Sequence, residues 1–350
     1  MKKKNSGLFY LLFTGLFLLL CTITLLGSLA PWVDVSLLPF IQLIPAVLPF
    51  LFPVFVLFFF YYFKKSARWA AVSLAAIFCC GWVAGKDISF QNRPVEASGG
   101  LSVASFNVGT FDFEPAKIDT VAALIVSMNP DVISLQEFRN HLLDGNVHSL
   151  DYLKEKLQMP YAEFVHLPVH IHGAVIFSKY PIVDIDTMFL PRKEINSGIL
   201  ATVETPLGKV GVGNIHLSSF QAAQTLEEND EVKDKFKGVW NRINIVLPLQ
   251  QEKVNQVLQK TNDYPYPMVI AGDFNSPPHT HIGYQFRQRF SDSFTEAGNG
   301  LGWTYPLAGF LGVRIDYQYH TNELMAVNHK IVHSGVSDHY PIQATYHLVP

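Results

Sequence analysis

The chain begins with three apolar runs separated by short polar breaks. Residues 8–30 are uncharged, residues 35–63 form a second uncharged run with four prolines, and residues 69–85 form a third. A helix of about 20 apolar residues is long enough to span a bilayer. Neighbouring helices can satisfy the backbone groups that a proline kink frees. The pattern therefore predicts three transmembrane helices, over about 8–30, 41–63 and 69–85.

The first apolar run has an alternative interpretation as a cleaved signal peptide. Ser28-Leu29-Ala30 resembles the small-x-small sequence at which such peptides are cut. Pro31 directly after that position and the two further apolar runs favour a membrane span instead.

Basic residues predict the orientation of these helices. Lys2, Lys3 and Lys4 precede the first helix, and the basic turn 64–68 lies between the second and the third. Positively charged loops stay in the cytoplasm. Three crossings then place everything after Gly85 outside it, in the periplasm or at the cell exterior. The polar residues 86–100 end in Gly-Gly, which is typical of a linker.

Beyond residue 100 the pattern changes to short β-like runs with a few helical stretches. Helical spacing predicts helices over 117–128 and about 239–260. Alternation and β-branched runs predict strands. These runs cover 101–108, 131–136, 173–178, 182–189, 199–204, 209–217, 267–272, 313–319, 325–332 and 341–347. Residues 101–350 are expected to form one α/β domain, a two-sheet sandwich flanked by helices in four layers, α/β/β/α.

Charge separates the two parts of the chain. Residues 1–85 hold six of the 26 basic residues and one of the 29 acidic ones, so the remainder has a formal net charge of −8. Nucleic-acid binding needs a concentrated positive surface, so this balance disfavours a nucleic-acid partner, although a local basic patch is compatible with it. All three cysteines lie in the apolar runs, so the polar domain has no thiolate metal site or cysteine nucleophile.

Polar residues follow several of the predicted strands at the point where each strand ends. Loops at such positions display functional groups on a rigid frame. Five endings stand out: Phe106-Asn107, Gln136-Glu137, Asn214-Ile215-His216-Leu217, Gly272-Asp273-Phe274-Asn275 and Ser337-Asp338-His339-Tyr340-Pro341. A sixth element, Arg314-Ile315-Asp316-Tyr317, places an acid inside a strand-like run, where an unpaired charge is costly.

Each of these elements has an ordinary structural explanation when it is taken singly. A strand-end aspartate is commonly a turn former or helix cap, and a lone histidine is more often structural than catalytic. Together they supply oxygen ligands for a hard cation, an acid to handle a water proton, and histidines to meet anionic oxygen. No HExxH, CxxC or histidine-rich spacing favours zinc.

The six elements, in this order, resemble the endonuclease/exonuclease/phosphatase superfamily. That group includes pancreatic-type deoxyribonuclease, apurinic endonucleases, neutral sphingomyelinases and inositol-polyphosphate phosphatases. The resemblance covers about 101–347 and is most specific at the GDFN and SDHYP segments. It implies a metal site at Glu137 and Asn107, with Asp338 assisting the metal or the neighbouring histidine. The implied metal is Mg²⁺, which Mn²⁺ or Ca²⁺ could replace.

The same resemblance implies catalytic roles for five further residues. Asp273 would orient and deprotonate the attacking water, and Asn275 would hydrogen-bond the phosphoryl oxygens. His339 would donate to the phosphate as negative charge builds up, and Asp316 would orient His339. His216 would be a second donor to the phosphate. His170 and His172 are weaker candidates for substrate contacts, since both also fit as polar residues at the entry of a strand.

The sequence therefore favours a membrane-anchored, divalent-metal-dependent phosphoesterase that acts on a phosphodiester such as a lipid head group or nucleotide. One alternative is an extracytoplasmic nuclease for DNA or RNA, and another is a catalytically silent membrane scaffold. Many nucleases of the superfamily have an acidic or polar residue two positions after the first Asn, where this chain has Gly109. This departure counts against a DNA-repair role.

Overall fold

The structure, a computed structural model, describes residues 2–91, 99–109, 117–143, 147–166, 172–190, 196–220, 235–308 and 311–349. The chain divides into two units. A helical unit comprises the residues up to Asp87 together with Pro277–Tyr284, and a sheet unit comprises Ile88–Ser276 and Gln285–Pro350.

The helical unit contains three long apolar helices, Lys2–Ser28 (α1), Leu48–Phe63 (α2) and Ala67–Ala84 (α3). Short 3-10 helices, Ala30–Trp32 and Pro39–Ala46, lie between α1 and α2. Length and composition make α1 and α3 candidate membrane spans. The second predicted span is a bent pair, since Pro39–Ala46 and α2 meet at 67°. The prolines of this region account for the bend because proline removes a helical hydrogen bond and clashes with the preceding turn.

Two histidines far along the sequence complete the helical unit. The ring Nε2 of His279 lies 3.1 Å from the backbone oxygen of Ser28. The ring Nδ1 of His281 lies 2.9 Å from the backbone oxygen of Pro31. A carbonyl oxygen can only accept, so each ring nitrogen is the donor. His279 thus satisfies an oxygen at the C-terminal end of α1, where a helix leaves its last carbonyls unpaired, and His281 satisfies one in the 3-10 helix that follows.

Gln42 links this segment to the loop after α1, and its removal should destabilise the helical unit. Its buried side chain accepts from the His281 amide at 2.9 Å and donates to the oxygens of Ala30 and Val33, at 3.1 and 2.9 Å. Gln42→Leu would remove three hydrogen bonds and take this partner from the partly buried Val33 oxygen and His281 amide, at a cost of up to about 1–3 kcal/mol each. Thermal unfolding of the detergent-solubilised full chain should show a lower midpoint than that of the wild type.

The matched control for this experiment is Gln259→Leu, which makes the same change at an exposed position. Equal midpoints for the two variants would contradict a stabilising role for Gln42.

The strands of the sheet unit come in chain order. They are Ile88–Phe90 (β1), Leu101–Asn107 (β2), Val132–Arg139 (β3), Tyr161–His166 (β4), His172–Ser178 (β5), Ile182–Phe189 (β6), Gly198–Thr205 (β7), Gly208–His216 (β8), Met268–Asp273 (β9), Ser291–Asp292 (β10), Asn299–Leu301 (β11), Tyr305–Ala308 (β12), Leu311–Val313 (β13), Asp316–His320 (β14), Leu324–Ile331 (β15) and Ile342–Leu348 (β16). The helices are Lys117–Met128 (α4), Ser149–Leu157 (α5), Lys235–Lys260 (α6), His281–Arg287 (α7, which begins in the helical unit) and Ser293–Ala297 (α8).

Two six-stranded sheets form the centre of this unit, with the orders β15-β16-β2-β3-β5-β4 and β10-β14-β9-β8-β7-β6. Aliphatic side chains fill the space between them, among them Val103 and Ile176 from one sheet and Val212 and Val269 from the other. Each such side chain contributes roughly 1.5–3 kcal/mol when fully buried. The helices α4 and α5 pack on the first sheet, and α6 packs beside β6 of the second. The predicted two-sheet sandwich flanked by helices is confirmed.

The predicted linker 86–100 begins in the helical unit, which extends to Asp87, and continues into the sheet unit. Residues 88–90 form β1, which pairs antiparallel with β11. Residues 92–98 of the predicted linker lie outside the described residues.

Candidate active site

Strand pairing in the second sheet brings three of the predicted residues into one row. In the parallel pair β8 and β9, His216 lies opposite Asp273, and in the antiparallel pair β9 and β14, Asp316 lies opposite Asp273. Gly272, the first residue of GDFN, makes this pairing possible. A Cβ at this glycine would lie 1.9 Å from the backbone oxygen of Ile215, so no side chain fits there.

One carboxylate oxygen, Oδ2 of Asp273, lies at the centre of the site. It accepts a hydrogen bond from the amide nitrogen of Asn107 at 3.0 Å. The Nε2 atoms of His216 and His339 lie 3.6 and 3.7 Å from the same oxygen. Asp273 is buried, so its carboxylate is held among these groups rather than by water. Residues from four of the five predicted strand endings therefore meet around one atom.

His339 forms a buried pair with Asp316. Its Nδ1 lies 3.0 and 3.2 Å from the two carboxylate oxygens of Asp316, so the ring donates through Nδ1 and directs Nε2 toward Asp273. A second partner that fixes the ring orientation in this way is the usual means of preparing a histidine for proton transfer. The ring of Tyr305 packs edge-on against His339, with centroids 4.9 Å apart.

The pKa values of the two histidines shift in opposite directions. Burial alone would lower the pKa of His339, but Asp316 and Asp273 outweigh burial and raise it to about 10. Burial, followed by the nearby charges of Lys253 and His339, holds the pKa of His216 well below its ordinary value. His339 is therefore cationic at neutral pH and His216 is neutral. Burial also raises the pKa of Asp273, a rise that His339 opposes and Asp316 adds to. Such a carboxylate accepts a proton more readily than an exposed one.

Glu137 stands on a distortion at the end of β3. The pairing of β3 with β5 shifts register between Leu135 and Phe138, and Glu137 takes a left-handed backbone conformation with φ +55°. This conformation costs a non-glycine residue about 1–2 kcal/mol, and such strain concentrates at functional sites. The side chain is 26% exposed, and its Oε1 lies 3.3 Å from Nδ2 of Asn107 and 3.8 Å from Nε2 of His216.

A buried amide pair joins the two sheets beside these residues. The Gln136 side chain donates to Oδ1 of Asn214 at 2.8 Å, and Asn214 donates to the backbone oxygens of Leu135 and Val175, both at 2.9 Å. Buried amides are stable only when they are hydrogen-bonded, so this link is specific in geometry. It fixes the residue before Glu137 relative to the strand that carries His216.

Asn275 and Asp338 border this cluster. Asn275 also has a left-handed backbone, with φ +48°; its amide donates to Oδ1 of Asp273 at 2.8 Å and its side chain to the oxygen of Leu217 at 2.9 Å. Asp338 is exposed and accepts from the Ser337 hydroxyl at 3.1 Å. That hydroxyl also donates to the backbone oxygen of Asn107 at 2.9 Å.

The two weaker substrate candidates are only partly placed. His172 begins β5 opposite Arg139 of β3, and His170 lies outside the described residues. Both stay predictions.

The residues around Asp273 fit a hard divalent cation. Glu137 and Asp273 offer carboxylate oxygens, which Mg²⁺ prefers, and Asn107 lies between them. Nε2 of His216 is buried beside both carboxylates and has no hydrogen-bond partner among the described residues. Oδ1 of Asn107 accepts from the Gly109 amide at 3.0 Å, so Asn107 would have to turn its amide to present oxygen to a metal. The side chains of Asp273, Asp316 and His339 are also close enough together to bind a metal ion. The hydrogen bond between Asp316 and Nδ1 of His339 already occupies two of the possible ligand atoms, so this set is less suited to a metal.

The buried hydroxyl of Thr304 supports the pair of Asp316 and His339, and Thr304 was not among the residues predicted from the sequence. Oγ1 of Thr304 accepts from the amides of Ile315 and Asp316, both at 3.1 Å, and the Thr304 backbone oxygen accepts from Tyr340 at 2.7 Å. Thr304 thus joins the segments before Asp316 and after His339. The Trp303–Pro306 segment, which precedes Asp316 in the sequence, also resembles the superfamily and is the sequence signal that could have pointed to Thr304.

Comparison with known proteins agrees with this geometry. The family model described as "Endonuclease/Exonuclease/phosphatase family" matches residues 104–339. Three solved structures share the fold. An endonuclease/exonuclease/phosphatase from Beutenbergia cavernae is 22% identical, with TM-score 0.52, and covers 71% of this chain and 72% of its own. One from Bacteroides vulgatus is 14% identical, with TM-score 0.53 and 71% and 99% covered. The D. rerio protein TDP2, solved with a single-strand DNA product, is 16% identical, with TM-score 0.52 and 71% and 100% covered.

A search of curated protein sequences finds no match to this chain. The family model nevertheless spans well over half of the residues and ends at the central histidine, His339. The chain belongs to the endonuclease/exonuclease/phosphatase family.

Proposed function

We propose that this protein is a membrane-anchored, divalent-metal-dependent phosphoesterase that hydrolyses a phosphodiester by attack of water. Members of its family are generally metal-dependent hydrolases of phosphoester bonds. The observation that carries the proposal is the convergence of Asn107, His216 and His339 within 3.7 Å of one carboxylate oxygen of Asp273.

Each of the clustered residues has a separate role in the proposed hydrolysis. Asp273 accepts the proton of the attacking water, which its raised pKa favours, while the bond from phosphorus to the leaving oxygen breaks and that oxygen takes up a proton from solvent. The cationic His339, held by Asp316, donates from Nε2 to a phosphoryl oxygen as negative charge develops. In this proposal the second side-chain N–H of Asn275 serves the same purpose, and His216 contacts the phosphate beside His339.

A divalent cation, when bound, would be held by Glu137 and Asn107, with Asp338 assisting. It would supply Lewis acidity worth several kcal/mol toward the developing charge. Mg²⁺ is the proposed ion, and Mn²⁺ or Ca²⁺ could take its place at a site of hard oxygen ligands.

The helical unit supports a membrane location, and in this proposal the sheet unit is extracytoplasmic. α1 and α3 are candidate spans, and the basic turn at Lys64 and Lys65 between α2 and α3 favours the cytoplasm. Intact cells that express the chain should then hydrolyse a membrane-impermeant phosphoester supplied outside. Activity that appears only after lysis would contradict this orientation.

Metal dependence is the direct test of the proposal. Chelation should abolish turnover by the solubilised full chain, and Mg²⁺ should restore it. Glu137→Gln removes one negative ligand and should lower activity at limiting Mg²⁺ by at least about 10–100-fold, with partial recovery at high Mg²⁺. The assay compares a phosphodiester, a phosphomonoester, phospholipid vesicles and plasmid DNA.

Glu155→Gln, an exposed carboxylate on α5, is the matched control and should behave as wild type. Turnover that survives chelation would overturn the metal requirement, and absence of turnover on every substrate would favour the silent scaffold. Cleavage of plasmid alone would favour the nuclease, which the net charge of −8 disfavours.

A further inference from the structure

Helix α6 carries two polar side chains on its buried face. That face is apolar at helical spacing, with Ile243, Val246, Leu247, Val254 and Val257 buried. Gln250 and Lys253 occupy the same stripe and are buried as well, at 0% and 6% exposure. A glutamine and a lysine thus occupy two buried positions where packing alone would favour a leucine or valine.

Both side chains contact the loops that leave β8 and β9. The Gln250 amide donates to the backbone oxygen of Ser218 at 2.6 Å and to that of Asn275 at 3.3 Å. The ammonium of Lys253 donates to the Ser218 hydroxyl at 2.8 Å. Ser218 follows His216 by two residues, and Asn275 follows Asp273 by two. α6 therefore holds the two segments that continue from central residues of the site.

A buried lysine is costly, which argues against a purely structural explanation for Lys253. Removing an ammonium from water carries a large desolvation penalty that an apolar residue of similar length would avoid. The ammonium also lies 5.3 Å from the centre of the Phe189 ring, an attraction that offsets only a small part of that penalty. Its charge acts on His216, since it contributes to the low pKa of that histidine after burial.

We propose that Gln250 and Lys253 are positioning residues of the catalytic site, which fix His216 and Asn275 through Ser218 and the Asn275 backbone. The catalytic part of this inference rests on the phosphoesterase function proposed above. Misplacement of reacting groups by about 1 Å can cost 10²-fold in rate. Loss of either contact should therefore lower kcat while leaving substrate affinity largely intact.

The test uses the solubilised full chain and two kinds of variant. Lys253→Met keeps the length of the side chain and removes the donor, and Gln250→Leu removes the amide; each should lower kcat by about 10–100-fold with KM within about twofold. Lys253→Arg keeps a cationic donor and should recover most of the activity. Lys260→Met is the control and should match wild type, because Lys260 lies at the exposed end of α6 and pairs with the exposed Asp186 of β6.

Hydrogen–deuterium exchange of the same variants measures positioning without any substrate. Peptides covering 214–219 and 273–276 should exchange faster in Lys253→Met and Gln250→Leu, and at the wild-type rate in Lys260→Met. Unchanged exchange, or faster exchange with wild-type kcat, would overturn the inference. If the wild type hydrolyses no phosphoester, the proposed function fails, and the exchange rates still decide whether α6 fixes these loops.

Discussion

Asp273→Asn should lower kcat by about 10³–10⁴-fold, because it removes the buried carboxylate that accepts the water proton in the proposed mechanism. Asparagine has nearly the same shape as aspartate and could still accept the Asn275 amide, which now binds Oδ1 at 2.8 Å. The nitrogen of the new side chain would face that of Asn107, which now donates to Asp273 Oδ2 at 3.0 Å, so one hydrogen bond is lost. Relief of the buried charge offsets this loss, and we expect a thermal midpoint close to that of the wild type.

Steady-state kinetics and thermal unfolding of the same preparation check this expectation together. Asp263→Asn, an exposed aspartate before β9, is the control and should retain full activity. Retention of more than about a tenth of wild-type kcat in Asp273→Asn would show that another group accepts the proton.

Asp316→Asn should lower kcat by about 10²–10⁴-fold and change the pH dependence. Asp316 is the strongest of the charges that raise the pKa of His339 to about 10. Its loss lowers that pKa, so the alkaline limit of kcat/KM should move to lower pH.

The same raised pKa makes the folding stability of the wild type depend on pH. The folded-state pKa lies above the ordinary imidazole value of about 6.5, so the pair stabilises the fold fully below about pH 6.5 and loses this contribution as pH rises through about 10.

The measurement is the pH profile of kcat/KM for wild type, Asp316→Asn and the control Asp186→Asn, whose exposed carboxylate pairs with Lys260. An alkaline limit that is the same in all three proteins would show that activity does not depend on the cationic form of His339.

The residues placed at strand ends could be identified from sequence because their signals are local. A buried β-like run followed by Asp273 or His216 marks a strand and its end without reference to the rest of the chain. The same local rules predicted the two-sheet sandwich and the three apolar helical segments. The order of the six elements then sufficed to identify the family resemblance.

The contacts of Lys253 and Gln42 could not be predicted from local sequence patterns. Lys253 lies on a helix whose pattern indicates only that one face is buried, and its contact with Ser218 joins residues 35 positions apart. Gln42 is hydrogen-bonded to the His281 amide although 239 positions separate the two residues. The hydrophobic pattern around Gln42 does not indicate a contact with His281, and the pattern around His281 does not indicate one with Gln42.

Local patterns in the sequence were enough to predict which residue types end the strands, and from them the fold class and the candidate chemistry. The pairing of β8, β9 and β14 in the folded chain was needed to bring His216 and Asp316 beside Asp273, and the contact with Asp316 brings Nε2 of His339 within 3.7 Å of the same Asp273 oxygen. The fold also turns the nitrogen of Asn107 toward the carboxylates and packs residues 277–284 in the helical unit. The physical reason is that helix and strand formation depends on neighbouring residues. Distances between distant side chains depend on sheet register and close packing, which arise only when the whole chain has folded.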